Sequence, residues 1–248
     1  MLKSLSHWRI VCMSIILWIS SLTCFVLIGV IFVSISFVLN KNQFHRLARL
    51  SAHFILLASG QRIDVKDSFP PLERGPYLYV FNHTSMLDSL IMVAAIPHFM
   101  AAVGKREQFA IPLWGAMLRR WGAVPLDRAD RSSAIQSLST VEEVIRHGTS
   151  LLISPEGTRS SDGELLPFKK GPFHIALNTG ISIVPIAVTG AYHSKNKTSW
   201  ILRPNTIEIR IGQLVIPHMM TMPTVEELNQ LTRHNLEVAI KRGFKHKG

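Results

Sequence analysis

The chain of 248 residues is 47% hydrophobic and 17% charged, which provides enough apolar material for a sizeable core and excludes a mainly disordered chain. Its formal net charge is +11, of which residues 1–62 carry +6 and residues 233–248 carry +4, so the positive charge belongs to the two ends. The two cysteines, Cys12 and Cys24, both lie in an apolar stretch, which excludes a disulfide framework and a four-cysteine zinc site.

Residues 10–39 form an uncharged run of 30 residues dominated by Ile, Val, Leu, Phe and Trp. As one helix the run would be about 45 Å long, against a bilayer hydrocarbon core of about 30 Å. A cleaved signal peptide is disfavoured because its apolar region is typically shorter. Basic residues flank both ends, so charge does not orient a single span. We expect a membrane-inserting apolar helix or, preferentially, a re-entrant helical hairpin that bends near Ser20, Ser21 and Gly29 and enters one leaflet.

The pattern of residues 42–59 predicts an amphipathic helix. Its apolar side comprises Phe44, Leu47, Leu50 or Ser51, Phe54 and Leu57, and its other side carries His45, Arg46, Arg49 and His53. This composition is typical of a segment in an anionic lipid interface, and an ordinary helix packed on the main domain has the same pattern. We therefore divide the chain into a membrane-inserting unit, residues 1–59, and a globular domain, residues 60–248.

Beyond residue 75, short apolar runs alternate with helical patterns, which predicts an α/β domain with a mostly parallel central sheet flanked by helices. Strands are expected at residues 77–81, 99–103, 123–126, 149–153, 181–189, 199–203 and 206–211, and helices at 85–95, 112–121, 132–147, 170–179 and 226–241. The sequence has no dinucleotide fingerprint, P-loop, zinc-protease motif or nucleophile elbow. Nucleotide hydrolysis, zinc proteolysis and the usual serine-hydrolase route therefore lack their residues.

His83 and Asp88 lie in a polar cluster that follows the strand predicted at residues 77–81. Polar side chains at the end of a strand in an α/β domain lie where sites are usually built. Five residues of continuous helix would turn the two side chains about 140° apart, so they meet only if His83 lies in the loop before the helix. Asp88 would then orient the imidazole and leave its other nitrogen as a general base for a substrate hydroxyl.

A second polar stretch, residues 154–160, follows the strand predicted at residues 149–153 and has the sequence Ser-Pro-Glu-Gly-Thr-Arg-Ser. Gly157 allows backbone amides to approach an anion closely, and Arg159 can bind a phosphate through two hydrogen bonds. The alternative is a surface turn held by a pair between Glu156 and Arg159. The stretch therefore predicts an anion site at the sheet edge that is expected to carry His83.

Two weaker signals complete a set of four stretches. Arg128 follows the short strand predicted at residues 123–126, and Pro185 lies inside the strand predicted at residues 181–189. Together and in this order they resemble the motifs of the glycerolipid acyltransferases, and specifically of the 1-acylglycerol-3-phosphate (lysophosphatidic acid) acyltransferases. His83 and Asp88 match the H-x4-D motif, and residues 156–159 match the E-G-T-R motif. Arg128 matches the arginine that closes the second motif, and residues 184–186 match the fourth.

The resemblance implies that a fatty acyl group moves from a thioester, on coenzyme A or acyl carrier protein, to the free hydroxyl of lysophosphatidic acid, giving phosphatidic acid in phospholipid synthesis. His83 and Asp88 are then the catalytic residues. The residues implied in substrate binding are Lys105, Arg128, Glu156, Gly157, Thr158 and Arg159. No metal and no bound cofactor are implied, the acyl thioester being a co-substrate.

The lipid acceptor and the basic, apolar N-terminus imply a membrane-associated enzyme, with the acyltransferase catalytic domain of residues 60–248 on the cytoplasmic face. Its implied partners are anionic bilayer lipids and the thioester carrier, with no nucleic acid. Two positions depart from the family pattern: Ser154 stands where an aromatic residue usually precedes Pro-Glu-Gly, and Pro125 interrupts a segment usually richer in β-branched and aromatic residues.

Three other functions compete with this interpretation. The nearest is an acyltransferase of the same family with another acceptor, a lyso-ornithine lipid or glycerol-3-phosphate, which a panel of acceptors would distinguish. A hydrolase in which His83 activates water would release free fatty acid without an acceptor. A non-catalytic basic module that binds membranes or nucleic acid would show salt-sensitive binding that survives the loss of His83.

Overall fold

A seven-stranded sheet forms the centre of the chain in the computed structural model, which describes residues 2–126 and 131–244. The strands are β1 (Gln61–Val65), β2 (Tyr77–Phe81), β3 (Met100–Lys105), β4 (Val124–Leu126), β5 (Ser150–Ile153), β6 (Ser182–Thr189) and β7 (Asn205–Ile211). Their order in the sheet is β1-β7-β6-β2-β5-β3-β4. The five strands from β6 to β4 are parallel, whereas β7 is antiparallel to β6 and β1 is parallel to β7. The predicted mostly parallel sheet is confirmed.

Helices cover both faces of the sheet. In the described part of the chain they are α1 (Leu2–Ile35), α2 (Lys41–Ala58), α3 (Asp88–Ala95), α4 (Trp114–Trp121), α5 (Arg131–Arg146), α6 (Gly171–Thr179), α7 (Ala191–Ser194) and α8 (Val225–Phe244). Short 3-10 turns lie at Leu72–Arg74, Arg106–Ala110 and Pro217–Met219. One layer contains α1, α2 and α3, and the other contains α5, α6 and α8.

The side chains of β2 alternate between these two layers. Tyr77, Tyr79 and Phe81 belong to the core beneath α1, α2 and α3. Leu78 and Val80 belong to the core beneath α5, α6 and α8. All five side chains are buried, as expected for a central parallel strand that is covered on both faces, and this explains why the strand is continuously apolar in sequence.

The first two helices form an antiparallel hairpin that packs on the sheet. Phe32 near the end of α1 contacts Phe44 near the start of α2, with their ring centroids 4.8 Å apart. The second helix begins at Lys41 because Asn40 forms a capping box: its side chain accepts from the Gln43 amide, and the Gln43 side chain accepts from the Asn40 amide.

The prediction that the apolar run of residues 10–39 bends in its middle is wrong. α1 is continuous through Ser20, Ser21 and Gly29 and ends at Ile35, so the chain turns only after the run is almost complete. Gly29 serves close packing instead of a bend, because a Cβ atom at this position would lie 2.9 Å from the Leu113 side chain at the start of α4. The hairpin is therefore formed by α1 with α2, and not by two halves of the apolar run.

Side chains of α1 also bind the backbone of the main domain. Trp18 Nε1 donates to the Trp200 carbonyl at 2.8 Å, and the Leu202 amide donates to Ser14 Oγ at 2.9 Å. The strand predicted at residues 199–203 is wrong, and these bonds give the reason: α1 satisfies backbone groups that would otherwise pair with a neighbouring strand.

The outer side of the helical hairpin is apolar and exposed. Its exposed large side chains include Ile16, Ile19, Leu22, Leu27, Val30 and Phe37 from α1 and the following turn, and Leu50, Phe54 and Leu57 from α2. The segment His7–Ile35 is long and apolar enough to cross a membrane, and only 17% of its most apolar 18 residues are buried. A contiguous exposed apolar face of this size marks an interaction with lipid or with another apolar surface.

The two sides of α2 differ from the prediction. Phe44 and Ser51 are buried as expected, but the other buried side chains of this helix are His45, Ala48, Ala52, Ile55 and Leu56. The outward-facing residues are the larger Leu50, Phe54 and Leu57. Small side chains allow α2 to approach the sheet and α3 closely, so alanines form much of its buried side.

Candidate active site

The ends of three adjacent parallel strands bring the predicted site residues to one edge of the sheet. His83 follows β2 by two residues, the Ser-Pro-Glu-Gly-Thr-Arg stretch follows β5, and Lys105 is the last residue of β3. Asn82 holds the loop after β2 against β6, because its side chain donates to the Val188 carbonyl at 3.0 Å and accepts from the Val188 amide at 2.8 Å. The expected common edge is therefore present.

His83 and Asp88 form a hydrogen-bonded pair. The distance between His83 Nδ1 and Asp88 Oδ2 is 2.7 Å, and Oδ2 also accepts from the backbone amides of Thr84 at 2.8 Å and Ser85 at 2.9 Å. The Asp88 side chain is fully buried, whereas the His83 side chain is 25% exposed. With Nδ1 donating to the carboxylate, Nε2 is the nitrogen left to accept a proton.

The same bonds explain where α3 begins. The helix was predicted from residue 85, but it starts at Asp88, because the Thr84 and Ser85 amides turn toward the Asp88 carboxylate instead of joining the helix. Ser85 Oγ stabilises this turn by donating to the Lys195 carbonyl at 2.7 Å, and it accepts from the Leu87 amide at 3.3 Å. His83 consequently lies in the loop, as the sequence argument required.

Glu156 binds backbone and does not line the cavity described below. Its Oε1 accepts from the His83 amide at 2.8 Å, and its Oε2 accepts from the Leu166 amide at 2.9 Å. The residue is 2% exposed, and burial raises the pKa of its carboxyl above the usual value, although the two amide bonds and His83 oppose the shift. The Ser160 amide donates to the His83 carbonyl at 2.8 Å, so the turn after β5 holds the His83 backbone on both sides.

A cavity of about 430 Å³ extends from this edge of the sheet to the helical hairpin. Its polar end is lined by His83, Lys105, Gln108, Gly157, Thr158, Arg159 and Lys197, and its apolar end by Phe32, Ala48, Ala52, Ile55, Val93, Trp114, Met117 and Trp121. Five predicted site residues thus meet in one cavity, while Asp88 and Glu156 support it from behind. Arg128 lies outside the described residues.

Two sets of lining residues were not predicted. Lys197 comes from the loop after α7, and no motif in the sequence marked it. Ala48 and Ala52 come from α2, and their spacing of four residues was a usable signal, since small residues on one side of a helix indicate close packing. Within residues 2–126 and 131–244, no three His, Cys, Asp or Glu side chains are grouped so that they could bind a metal ion.

A comparison with known protein families identifies the family of this chain. The family model described as Acyltransferase matches residues 62–189, which include the loops after β2 and β5. The chain belongs to the acyltransferase family.

Several curated relatives are named 1-acyl-sn-glycerol-3-phosphate acyltransferase. The 1-acyl-sn-glycerol-3-phosphate acyltransferase of Cocos nucifera is 39% identical over 134 residues, 54% of this chain and 44% of that protein. The protein of that name from Limnanthes alba is 34% identical over 170 residues, 66% and 60% of the two chains. The alpha form from Homo sapiens is 31% identical over 198 residues, which are 77% of this chain and 68% of that protein. The matches thus span about half of the two plant relatives.

A solved acyltransferase shares the whole fold. The 1-acyl-sn-glycerophosphate (LPA) acyltransferase PlsC from Thermotoga maritima superposes with a TM-score of 0.81, covers 98% of both chains and is 23% identical in sequence. The match includes the N-terminal helical hairpin, because it covers nearly the entire chain. The predicted α/β architecture with an apolar N-terminal helix is confirmed.

Proposed function

We propose that this acyltransferase moves a fatty acyl group from an acyl thioester to the free hydroxyl of lysophosphatidic acid, giving phosphatidic acid. The observation that carries the proposal is the His83–Asp88 pair at the polar end of a cavity whose other end is apolar. A lysophospholipid has the same division, since a hydroxyl and a phosphate lie at one end and a hydrocarbon chain at the other. The names of the curated relatives support the same acceptor.

In the proposed chemical step His83 acts as the general base. Its Nε2 takes the proton of the acceptor hydroxyl while the hydroxyl oxygen attacks the thioester carbonyl, and Asp88 stabilises the imidazolium that forms. Collapse of the tetrahedral intermediate expels the thiolate, which takes the proton back from His83. The thioester is already activated, so the reaction needs no covalent acyl-enzyme and no bound cofactor.

The cations at the polar end are assigned to the acceptor's phosphate. Arg159 provides a planar fork for two phosphate oxygens, and Lys105 adds a point charge from the end of β3. Gly157 has φ of +71°, a left-handed conformation that favours glycine and allows the turn to bend tightly beside Thr158. A contact between Arg128 and the same phosphate remains a prediction from the sequence.

Glu156 is proposed as a positioning residue and not as a ligand of the acceptor hydroxyl. Both of its carboxylate oxygens are already occupied by backbone amides, one of which belongs to His83. Its role is to hold the base and the turn after β5 in one geometry. A displacement on the order of 1 Å is enough to slow such a reaction about a hundredfold.

The apolar end of the cavity is assigned to a hydrocarbon chain of the substrates, because its walls are the apolar and small side chains of α1, α2 and α4. The donor is a fatty acyl thioester of coenzyme A or of acyl carrier protein. Both carriers are anionic, so the formal net charge of +11 favours the approach of either one.

The helical hairpin is proposed to bind the cytoplasmic leaflet of a membrane. Its outward side chains are apolar along both helices, whereas its inner side packs on the sheet and forms part of the cavity wall. Such a surface inserts into the apolar part of a leaflet, and the basic residues near it favour anionic lipids. Residues 1–59 are thus the membrane-inserting unit, and residues 60–248 are the catalytic domain.

Vesicle binding tests the membrane proposal. The double variant Leu50→Glu with Phe54→Glu places two charges on the exposed side of α2, and we expect its partition onto vesicles of anionic phospholipid to fall at least tenfold, since two apolar side chains lose their burial. Val238→Glu on α8 is the matched control, as Val238 is also exposed but lies in the opposite layer. Equal vesicle binding by all three proteins would refute insertion through α2.

Product analysis tests the reaction. The purified protein is incubated with lysophosphatidic acid, glycerol-3-phosphate, a lyso-ornithine lipid and lysophosphatidylcholine, each with acyl-coenzyme A and with acyl carrier protein thioester, and the products are identified by mass spectrometry. We expect phosphatidic acid as the main product and its loss in His83→Ala. Preferred acylation of another acceptor, free fatty acid as the main product, or turnover by His83→Ala near that of the wild type would overturn the proposal.

A further inference from the structure

Three cations, Arg159, Lys195 and Lys197, lie close together beside the cavity: Arg159 and Lys197 line its polar end with Lys105, and Lys195 is near enough to Arg159 to be affected by its charge. Lys197 lines the cavity beside Arg159, and its Nζ lies 3.4 Å from the Arg159 carbonyl oxygen. Lys195 is only 7% exposed, and its Nζ donates to the Asn196 carbonyl at 2.7 Å. In the described part of the chain, no carboxylate forms an ion pair with any of the three side chains.

A buried lysine without a carboxylate partner is unusual, because lysine is almost never fully buried unless it is paired. Burial lowers the pKa of the Lys195 ammonium, and the nearby charge of Arg159 lowers it further. The charge of Arg159 therefore disfavours the ammonium form of Lys195, and an anion beside them would relieve that repulsion. A positive field that no protein group neutralises, at the wall of a cavity, concentrates anionic ligands there.

The loop that carries Lys197 is held in place relative to the general base. Ser85, two residues after His83, donates through its hydroxyl to the Lys195 carbonyl at 2.7 Å. Asn196 Oδ1 accepts from the Thr198 amide at 3.2 Å, the Thr198 hydroxyl at 3.2 Å and the Ser199 amide at 2.8 Å. The backbone at Lys197 is thus tied both to the His83 loop and to its own following turn.

We propose that Lys197 is a phosphate ligand of the acceptor site, and that Lys197 and Lys195 together with Arg159 select a phosphomonoester over a phosphodiester. This inference rests on the proposed function and names the group that recognises the acceptor's phosphate. A phosphomonoester carries about −1.5 to −2 charges at neutral pH, whereas a diester carries only one. A cluster of three cations gains more from the doubly charged group, and Arg159 alone would discriminate less.

Both the acceptor and the acyl donor contain phosphate groups, and Lys197 could bind either one. Separate measurements of the acceptor KM and the donor KM distinguish the two possibilities. With the donor saturating, we expect Lys197→Gln to raise the KM for lysophosphatidic acid about tenfold with little change in kcat, and to leave the donor KM within twofold. Lys197→Arg keeps the charge and should recover most of the loss. Lys66→Gln is the control, because Lys66 is an exposed lysine that follows the far edge strand β1 and forms an ion pair with Asp64.

Direct binding measures the selectivity without any turnover. Calorimetry compares dodecyl phosphate with its methyl diester on the wild-type protein, on Lys197→Gln and on Lys66→Gln. We expect the wild type to bind the monoester at least tenfold more tightly, and the preference to shrink to about twofold in Lys197→Gln only. The thermal unfolding temperature should not change, since Lys197 is exposed.

These two measurements keep the inference separate from the proposed function. A wild type that transfers acyl chains only to another acceptor refutes the proposed function, while the monoester preference and its loss in Lys197→Gln still report on the cation cluster. An unchanged monoester affinity in Lys197→Gln refutes the inference. A rise confined to the donor KM also refutes it and assigns Lys197 to the donor site.

Discussion

The polar end of the cavity is built from loops that hydrogen bonds hold in place, whereas the apolar end is built from helix side chains that pack against one another. At the polar end Asp88 Oδ2 accepts three hydrogen bonds, and Glu156 binds two backbone amides. At the apolar end the walls are mainly alanine, leucine, methionine and aromatic side chains. What the polar end does depends on the distances between its reacting and hydrogen-bonding atoms. What the apolar end can bind depends on the volume that the packed helices leave open.

This difference predicts different responses to substitution. A change of one atom at the polar end should alter the rate constant of the chemical step, because the base must keep its orientation and protonation state. A change of several atoms at the apolar end should alter which hydrocarbon chains fit and leave the chemistry of the remaining substrates intact. The predictions below test that contrast.

Among the residues that support the base or bind substrate, the largest effect is expected from Asp88→Asn. The amide can still accept a hydrogen bond, but it cannot stabilise an imidazolium as a carboxylate does, so kcat should fall by roughly 10² to 10⁴. Steady-state kinetics with a saturating acceptor measures the change, and thermal unfolding checks that the variant remains folded. A kcat within threefold of the wild type would show that Asp88 does not support the base.

A smaller effect is expected from Arg159→Ala. The lost contacts to phosphate act in the ground state and in the transition state alike, so the KM for lysophosphatidic acid should rise by roughly 10- to 100-fold while kcat changes little. Arg62→Ala is the control, since Arg62 is exposed on the edge strand β1. If the donor KM rises instead, Arg159 belongs to the donor site.

At the apolar end, Ala52→Leu should shorten the preferred hydrocarbon chain. Ala52 is buried in α2 and lines the cavity, and three added carbon atoms reduce the space available to a chain. Rates measured with acyl chains of 8 to about 18 carbons should fall several-fold for the long chains and stay near wild type for the short ones. Ala58→Leu in the same helix does not touch the cavity and should keep the wild-type profile. An equal fall in rate for all chain lengths would contradict the assignment of the apolar end to a hydrocarbon chain.

The smallest effect at neutral pH is expected at His45, which lies under the apolar end and contacts Trp121. Burial lowers its pKa to about 4, and the charges of Arg49 and His98 add to the shift. Between pH 6.5 and about 4 the unfolded chain therefore binds the proton more readily than the folded chain. The contribution of this group to stability is complete above pH 6.5 and is lost as the pH falls toward 4, by on the order of 3 kcal/mol.

His45→Phe removes this titration. The free energy of unfolding of the variant should change less between pH 6.5 and 4 than that of the wild type, and denaturant unfolding at several pH values measures the slope. An identical slope in both proteins would show that His45 does not titrate in this range in the way its burial requires.

The elements that were predictable from sequence are those whose signal is local. β2 has its predicted bounds, because a central parallel strand is apolar throughout and is followed at once by polar residues. His83 and Asp88 were predicted to meet, since only one arrangement of loop and helix brings them together, and that arrangement is present. The position of the chain turn after α1 also had a local signal, in Asn40 and Gln43, that the small residues of the apolar run obscured.

The remaining differences arise from contacts between distant segments. Residues 199–203 have strand-like composition, but side chains of α1 bind the backbone of Trp200 and Leu202, and no strand forms there. The buried side of α2 was predicted from its large apolar residues, which is the correct rule in water. Three of these residues, Leu50, Phe54 and Leu57, face outward instead. Lys197 is remote in sequence from every motif, so only the fold places it beside Arg159.

The packing of Phe44 on Trp121, with ring centroids 5.5 Å apart, has a consequence for how the chain is made. Trp121 follows Phe44 by 77 positions, so a ribosome adding 5–20 residues per second completes α4 about 4 to 15 s after the start of α2. During that interval the nascent helices have neither the complete sheet nor α4 to cover their inner side, because β5, which lies between β2 and β3, has not yet been made. Their outer side is apolar as well. A nearby bilayer is the apolar surface available to them at that stage, so membrane association can precede the completion of the core.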